Sequence, residues 1–161
     1  MSTTPSRADT IVVGHDDSSG ADAALETAFV LASALQVGLL VVRAWTVFTA
    51  PPGSMFHDGY AVPLDDVGER VRADLIAQAG PTSARHPEVP VEYSAVFGQA
   101  ADVLIATSRA ARMLVVGSRG HGGFASLLLG SVSNQCAHHA SCSVLISRPR
   151  AGAAEVRETV V

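Results

Sequence analysis

Five short apolar runs separated by helical stretches constrain this 161-residue chain more than any other feature. Thr10-Ile-Val-Val13 is β-branched and ends at Gly14, and Leu39 to Trp45 follows Gly38. Val91 to Val96 alternates and closes at Gly98, Met113 to Val116 runs into Gly117, and Val144-Leu-Ile146 stops at Arg148-Pro149. Such bounded runs read as strands. Between the first two, Ser18 or Ser19 caps a helix with Asp22 in its first turn. Leu25, Ala28, Phe29, Ala32 and Leu35 give that helix a core-facing stripe. A second helix spans Leu64 to Ala79, with Val67, Val71, Leu75 and Ile76 on one side, and Gly80-Pro81 ends it. Ala100 to Arg109 forms a third, turning Val103, Leu104 and Ala106-Thr107 inward. Ser131 to His139 forms a fourth. This alternation predicts an α/β fold: one doubly wound domain over 1–150, its parallel sheet covered on both faces. Residues 151–161 read as a loose tail. Right-handed crossovers leave two common strand orders, 2-1-3-4-5 and 3-2-1-4-5, with ligands at the carboxyl ends of the strands in either. If strands one and four are neighbours, Gly14 to Asp17 faces the Gly117 loop across a cleft.

Composition removes several classes. Apolar residues make up 48% and charged residues 16%, with a mean hydropathy of +0.29, which describes a well-buried globule. The net charge is −4 and the arginines are scattered, so no basic stripe offers itself to nucleic acid. No apolar segment is long enough to cross a bilayer, since Leu39-Leu-Val-Val42 stops at Arg43. Met1 to Arg7 has no hydrophobic signal core, which predicts a cytoplasmic protein. Cys136 and Cys142 match no zinc spacing and read as inert, buried thiols. His138-His139 sit at a predicted helix C-terminus, while His57, His86 and His121 fall in predicted loops. No spacing gathers them for a metal. The Pro- and Gly-rich segment from Thr46 to Pro63 is too long for an ordinary connection and reads as a mobile functional loop.

The chemistry concentrates in Gly117-Ser-Arg-Gly120, nine intervening residues, then Gly130-Ser131. Strand, glycine loop and helix N-terminus form an anion site, because the unpaired N–H groups of a first helical turn point outward. Ser131 and Ser133 add hydroxyls there. The chain has no lysine, so a lysine-bearing P-loop and Schiff-base chemistry are excluded. The first turn, Gly14-His-Asp-Asp-Ser-Ser-Gly20, lacks the dinucleotide fingerprint. Gly117-Ser-Arg-Gly120 is not a nucleophile elbow either.

With these residues in place, the chain resembles the universal stress protein family, in its ATP-binding subclass. The likeness runs from Ile11-Val-Val-Gly-His-Asp16 to Val144-Leu-Ile-Ser-Arg148. The motif Gly-x2-Gly-x9-Gly-Ser/Thr is matched by Gly117, Gly120, Gly130 and Ser131. The resemblance implies strand order 3-2-1-4-5 with ATP between strands one and four. It places Asp16 near the ribose or a phosphate-bound magnesium, Gly14 and His15 along the adenosine, and Ala44 beside the adenine. Gly117, Gly120, Gly130 and Ser131 would surround the phosphates, Val132 and Ser133 would extend that wall, Arg119 would supply charge, and Val116 joins the nucleotide-binding residues. Two departures stand out: Arg43 where many members carry histidine, and Asp16-Asp17-Ser18 in place of Asp-Gly-Ser.

The function expected is an ATP-binding stress or energy-state regulator, with ATP and magnesium as its cofactors, not an enzyme, and acting on regulatory proteins. Alternatives are an AMP or cyclic-AMP module, a slow nucleotide hydrolase, and a nucleotide-free dimerising protein with structural glycines. Asp16 has the competing role of a helix cap. The family also implies a homodimer through strand five. Val144, Leu145 and Ile146 form an apolar edge without the lysines or internal proline that blunt edges.

Overall fold

The computed structural model describes residues 9–121 and 128–150. The segment 1–7 and the tail 151–161 lie outside the described residues. In chain order the elements are β1 (Thr10–Gly14), α1 (Ser19–Leu35), β2 (Gly38–Trp45), β3 (Phe56–His57), β4 (Tyr60–Ala61) and α2 (Leu64–Ser83). Then come β5 (Val91–Phe97), α3 (Ala100–Ser108), β6 (Met113–Gly117), α4 (Ser131–His139) and β7 (Ser143–Ser147). Five strands form a parallel sheet in the order β5-β2-β1-β6-β7. Counted along the chain without the small hairpin, that is 3-2-1-4-5. The reversal of winding beside β1 leaves the crevice between β1 and β6, where Val13 pairs with Val115.

Period-two alternation divides the strand side chains between two cores. Ile11, Val13, Leu39, Val41 and Val115 face α1 and α2 and pack with Ala24, Leu25, Ala28, Phe29 and Leu75. Val12, Val42, Leu114 and Val116 face α3 and α4 and meet Val103, Leu104 and Cys136. Phe29 is fully buried and also stacks on His86 at 5.4 Å. A full phenylalanine burial stabilises by roughly 1.5–3 kcal/mol, so this ring anchors α1 to the sheet. Burying Ile11, Val13, Val41 and Val115 together fixes the strand register, since a one-residue slip would exchange the two cores.

Several expectations need correction. Helix α2 does not stop at Gly80-Pro81 but continues to Ser83. Gly80 has no Cβ to meet the proline ring, and its carbonyl still accepts from Ala84 at 2.9 Å. Ile76 and Leu35 are exposed, and Ala79 takes the inward place on α2. On α3 the buried residues are Ala101, Val103, Leu104 and Ser108, while Ala106 faces solvent. Cys142 is only half-buried. The segment from Thr46 to Pro63 holds a hairpin, Phe56 and His57 pairing with Ala61 and Tyr60 around Asp58-Gly59, so His57 sits in a strand. Beneath it Trp45, Val67 and Val71 form a third small core with Ala50, Met55 and Val62.

Candidate functional site

A cleft of about 760 Å³, counting its open mouth, lies beyond the carboxyl ends of β1 and β6. All twelve residues singled out in the sequence border it: Gly14, His15, Asp16, Ala44, Val116, Gly117, Arg119, Gly120, Gly130, Ser131, Val132 and Ser133. Ser18, Ala21, Val42, Ala100, Leu104 and His121 border it as well. No described residue of the segment 46–63 does.

Leu104 belongs to the cleft because α3 crosses the end of β1. A Cβ at Gly14 would come within 2.7 Å of Leu104 Cδ1, so the missing side chain lets α3 approach. Ala100 and Leu104 were legible only as an apolar helical stripe, which does not say which strand end the helix covers.

One wall is the turn after β1. The Asp16 carboxylate accepts from Ser18 N–H at 3.1 Å, from Ser18 Oγ at 2.5 Å and, through its other oxygen, from His121 N–H at 3.3 Å. Ser18 is the N-cap of α1, its Oγ accepting from Ala21 N–H at 3.2 Å. Asp16 therefore does not cap the helix itself. It holds the cap and ties the turn to the far end of the glycine loop.

The glycine loop packs directly on this turn. A Cβ at Gly117 would fall 2.6 Å from the backbone carbon and oxygen of Gly20, and one at Gly120 would collide with the Asp16 carboxylate. A Cβ on Gly20 would strike the Arg119 carbonyl. Gly117 and Gly20 are demanded by the protein's own packing of backbone on backbone, before any ligand is considered, while at Gly120 the obstacle is the end of the Asp16 side chain. Gly130 differs. Its φ of −72° is open to any residue, and a Cβ there would meet its nearest neighbour, Arg119 Cα, at an ordinary 3.4 Å.

The opposite wall is the start of α4. Gly130 is its N-cap and provides no side-chain acceptor, so the amides of the first turn, Ser131 to Ser133, lack a side-chain cap. Gly130 N–H itself donates to the Ser118 carbonyl at 2.7 Å, which pins the loop to the helix. The two serines divide. Ser131 is exposed at the cleft. Ser133 is buried, and its Oγ lies 3.0 Å from both the Ser118 and Gly130 carbonyls, so its hydroxyl is committed to the loop rather than turned to the cleft.

Behind the first wall lies a polar cluster that sequence inspection did not assemble. The His15 ring is wholly buried, with Nε2 3.0 Å from Asp22 Oδ1 and Nδ1 2.6 Å from an Arg43 terminal nitrogen. Arg43 Nε also donates to the His15 carbonyl at 3.1 Å, and its terminal nitrogen to Gln78 Oε1 at 2.6 Å. Burial lowers the Arg43 pKa, while Asp17, Asp16, Asp74 and Asp22 push it back up. His15 thus borders the cleft with its backbone rather than with a free ring. Burial also drives the Cys136 thiol up to about 11, which keeps it protonated and unreactive. Among the described residues, no group of three or more His, Cys, Asp or Glu side chains could hold a metal, and no helix is long and apolar enough to cross a membrane.

A sequence profile described as the universal stress protein family matches residues 8–148. A universal stress protein of Mycobacterium tuberculosis is 34% identical over 140 residues, covering 86% of this chain and 45% of its own. One of Mycolicibacterium smegmatis is 33% identical over 141 residues, covering 87% of this chain and 46% of its own. The chain therefore spans about half the length of the curated relatives it matches. Among solved structures, the universal stress protein UspA from Lactobacillus plantarum superposes with a TM-score of 0.67 at 20% identity, covering 88% of this chain and 99% of that one. A universal stress protein in complex with cAMP gives 0.64 at 24%, covering 90% and 98%. A family protein from Arabidopsis thaliana with AMP bound gives 0.60 at 21%, covering 89% and 93%. At these identities the structures share a fold with this chain.

Proposed function

We propose a nucleotide-binding regulatory role from one premise: the chain belongs to the universal stress protein family. The ligand is ATP, lying between β1 and the Gly117–Ser131 loop, with its phosphates on the first turn of α4 and magnesium carried by the phosphates near Asp16. The observation that carries this is Gly130. It is a helix N-cap without a capping side chain, at a position where the described residues leave room for one. An uncapped first turn opening into a cleft is built to receive an anion.

The decisive variant is Gly130→Asp. Aspartate is a strong N-cap and would bond the same amides that a phosphate needs. Stability then holds or rises by a few tenths of a kcal/mol, while ATP affinity falls by at least about tenfold, as calorimetry would measure. Unchanged ATP affinity in the folded variant overturns the phosphate site.

A second ligand class is favoured by one observation: two proteins of this fold were solved with cAMP and with AMP. Titrating ATP, AMP and cyclic AMP against the same preparation separates them, because the uncapped turn rewards the longer phosphate chain. Binding, not turnover, is the proposed activity: both nitrogens of His15 are engaged and Asp16 accepts three hydrogen bonds, so neither is free to act as a general base. We place the protein in the cytoplasm, as a homodimer joined through β7. That strand pairs only with β6 among the described residues and carries Val144, Leu145 and Ile146 half-buried. Regulatory proteins that read the nucleotide state are the remaining partners.

A further inference from the structure

Arg43 stands behind the cleft and does not border it. It nevertheless makes the most elaborate polar contacts near the site. Two of its nitrogens hold a single residue, one on the His15 carbonyl and one on His15 Nδ1, and the second also reaches Gln78 on α2. A guanidinium only donates, so Nδ1 must accept and the ring proton must sit on Nε2, facing Asp22. His15 N–H is taken by the Val42 carbonyl at 2.9 Å. Every polar atom of His15 is thus engaged, and the next residue is Asp16, which ties the turn to His121.

The electrostatics make this arrangement consequential. Asp16 and Asp17 on the turn, Asp22 on α1 and Asp74 on α2 all act on Arg43. Among the described residues that border the cleft, Arg119 is the one arginine, on its exposed rim. Without Arg43, a polyanion would approach Asp16 at the cleft, with Asp17, Asp22 and Asp74 behind it, and no half-buried cation to offset them. A half-buried charge is screened far less by salt than a surface one, so its field reaches the cleft.

We propose that Arg43 is the positioning residue that makes this acidic turn compatible with an anionic ligand, and so sets the charge preference of the cleft. It fixes His15, and through the chain Asp16, and it offsets the surrounding carboxylates without touching the ligand. The proposal rests on the nucleotide reading above.

The test titrates adenosine, AMP and ATP into the wild type, Arg43→Met, Arg43→Lys and Asp17→Asn. In Arg43→Met, ATP affinity falls on the order of tenfold, AMP less, and uncharged adenosine about twofold or less. Arg43→Lys keeps the charge but cannot span both acceptors, so all three ligands weaken together by about twofold or less. Asp17→Asn acts in the opposite direction, raising ATP affinity about threefold and leaving adenosine unchanged. Asp17 is exposed at φ +69°, a conformation asparagine tolerates, so this variant folds even if Arg43→Met does not. Equal losses for ATP and adenosine in Arg43→Met, or no gain for ATP in Asp17→Asn, overturn the charge role. A wild-type protein that binds none of the three ligands overturns the nucleotide reading itself, and this proposal with it; the wild-type titration distinguishes that outcome from the others.

Discussion

The two walls of the cleft are built on opposite principles. The β1–α1 turn is saturated: Asp16 accepts three hydrogen bonds, His15 has no free polar atom, and the glycine loop packs against Asp16 and Gly20. The start of α4 is open, with a glycine cap and an uncapped first turn. A saturated wall is paid for in folding and is rigid before a ligand arrives. An open wall costs the fold little and gains its partners from the ligand. Substitutions on the first should therefore damage stability and binding together, while those on the second should separate them.

The largest effect expected is at Gly117→Ala. The new methyl meets the Gly20 backbone at 2.6 Å, and neither partner is a flexible side-chain end that can swing away. Overpacking of this kind costs about 1–3 kcal/mol, and this contact belongs at the upper end. Urea denaturation would show the lost stability, and calorimetry the loss of ATP binding. A variant as stable as the wild type would mean that loop and turn are not locked together. Gly130→Asp is the counterpart, with binding lost and stability kept. If it unfolds the protein instead, the contrast between the walls fails.

Ser18→Ala probes the join between helix and turn. It removes the cap on Ala21 N–H and a donor to Asp16 at once. Caps of this type contribute about 1 kcal/mol, so thermal denaturation shifts by a few degrees and ATP binding weakens only as far as Asp16 loosens. A full loss of binding with unchanged stability would make Ser18 a direct ligand contact.

Much of this was legible in the sequence because it depends on local pattern. The five sheet strands, the α4 boundaries and the apolar face of α1 follow from period and caps alone. So does the place of the cleft once β1 and β6 are neighbours. What escaped depends on contacts distant in sequence. Gly20 reads as the close of a loop, yet its hydrogens are what the Arg119 carbonyl packs against. Arg43 and His15 are 28 residues apart, and no periodicity announces that a cation at the end of β2 will grip a histidine at the end of β1. The run of α2 through Gly80-Pro81 escaped because proline punctuation is strong, and here its cost is relieved by the glycine before it. The hairpin at Phe56 to Ala61 was hidden in a segment whose composition describes only a loop; its Asp58-Gly59 turn was the available signal.

The smallest effects divide two serines that the sequence presents as equals. Both stand in the first turn of α4, and both border the cleft. Ser133 spends its hydroxyl on the Ser118 and Gly130 carbonyls inside the protein, so Ser133→Ala should cost about 1 kcal/mol of stability. ATP affinity should follow only to the extent that the loop relaxes. Ser131 is exposed, and its hydroxyl has no such duty. Ser131→Ala should leave the denaturation curve within about 0.5 kcal/mol of the wild type. Its ATP affinity should fall a few-fold, the worth of one modest hydrogen bond to an anion. Measuring both variants by both methods gives four numbers with a crossed pattern. If the pattern is parallel instead, with both serines affecting stability or both affecting binding, then α4 does not present an open wall and the cleft has one kind of side, not two.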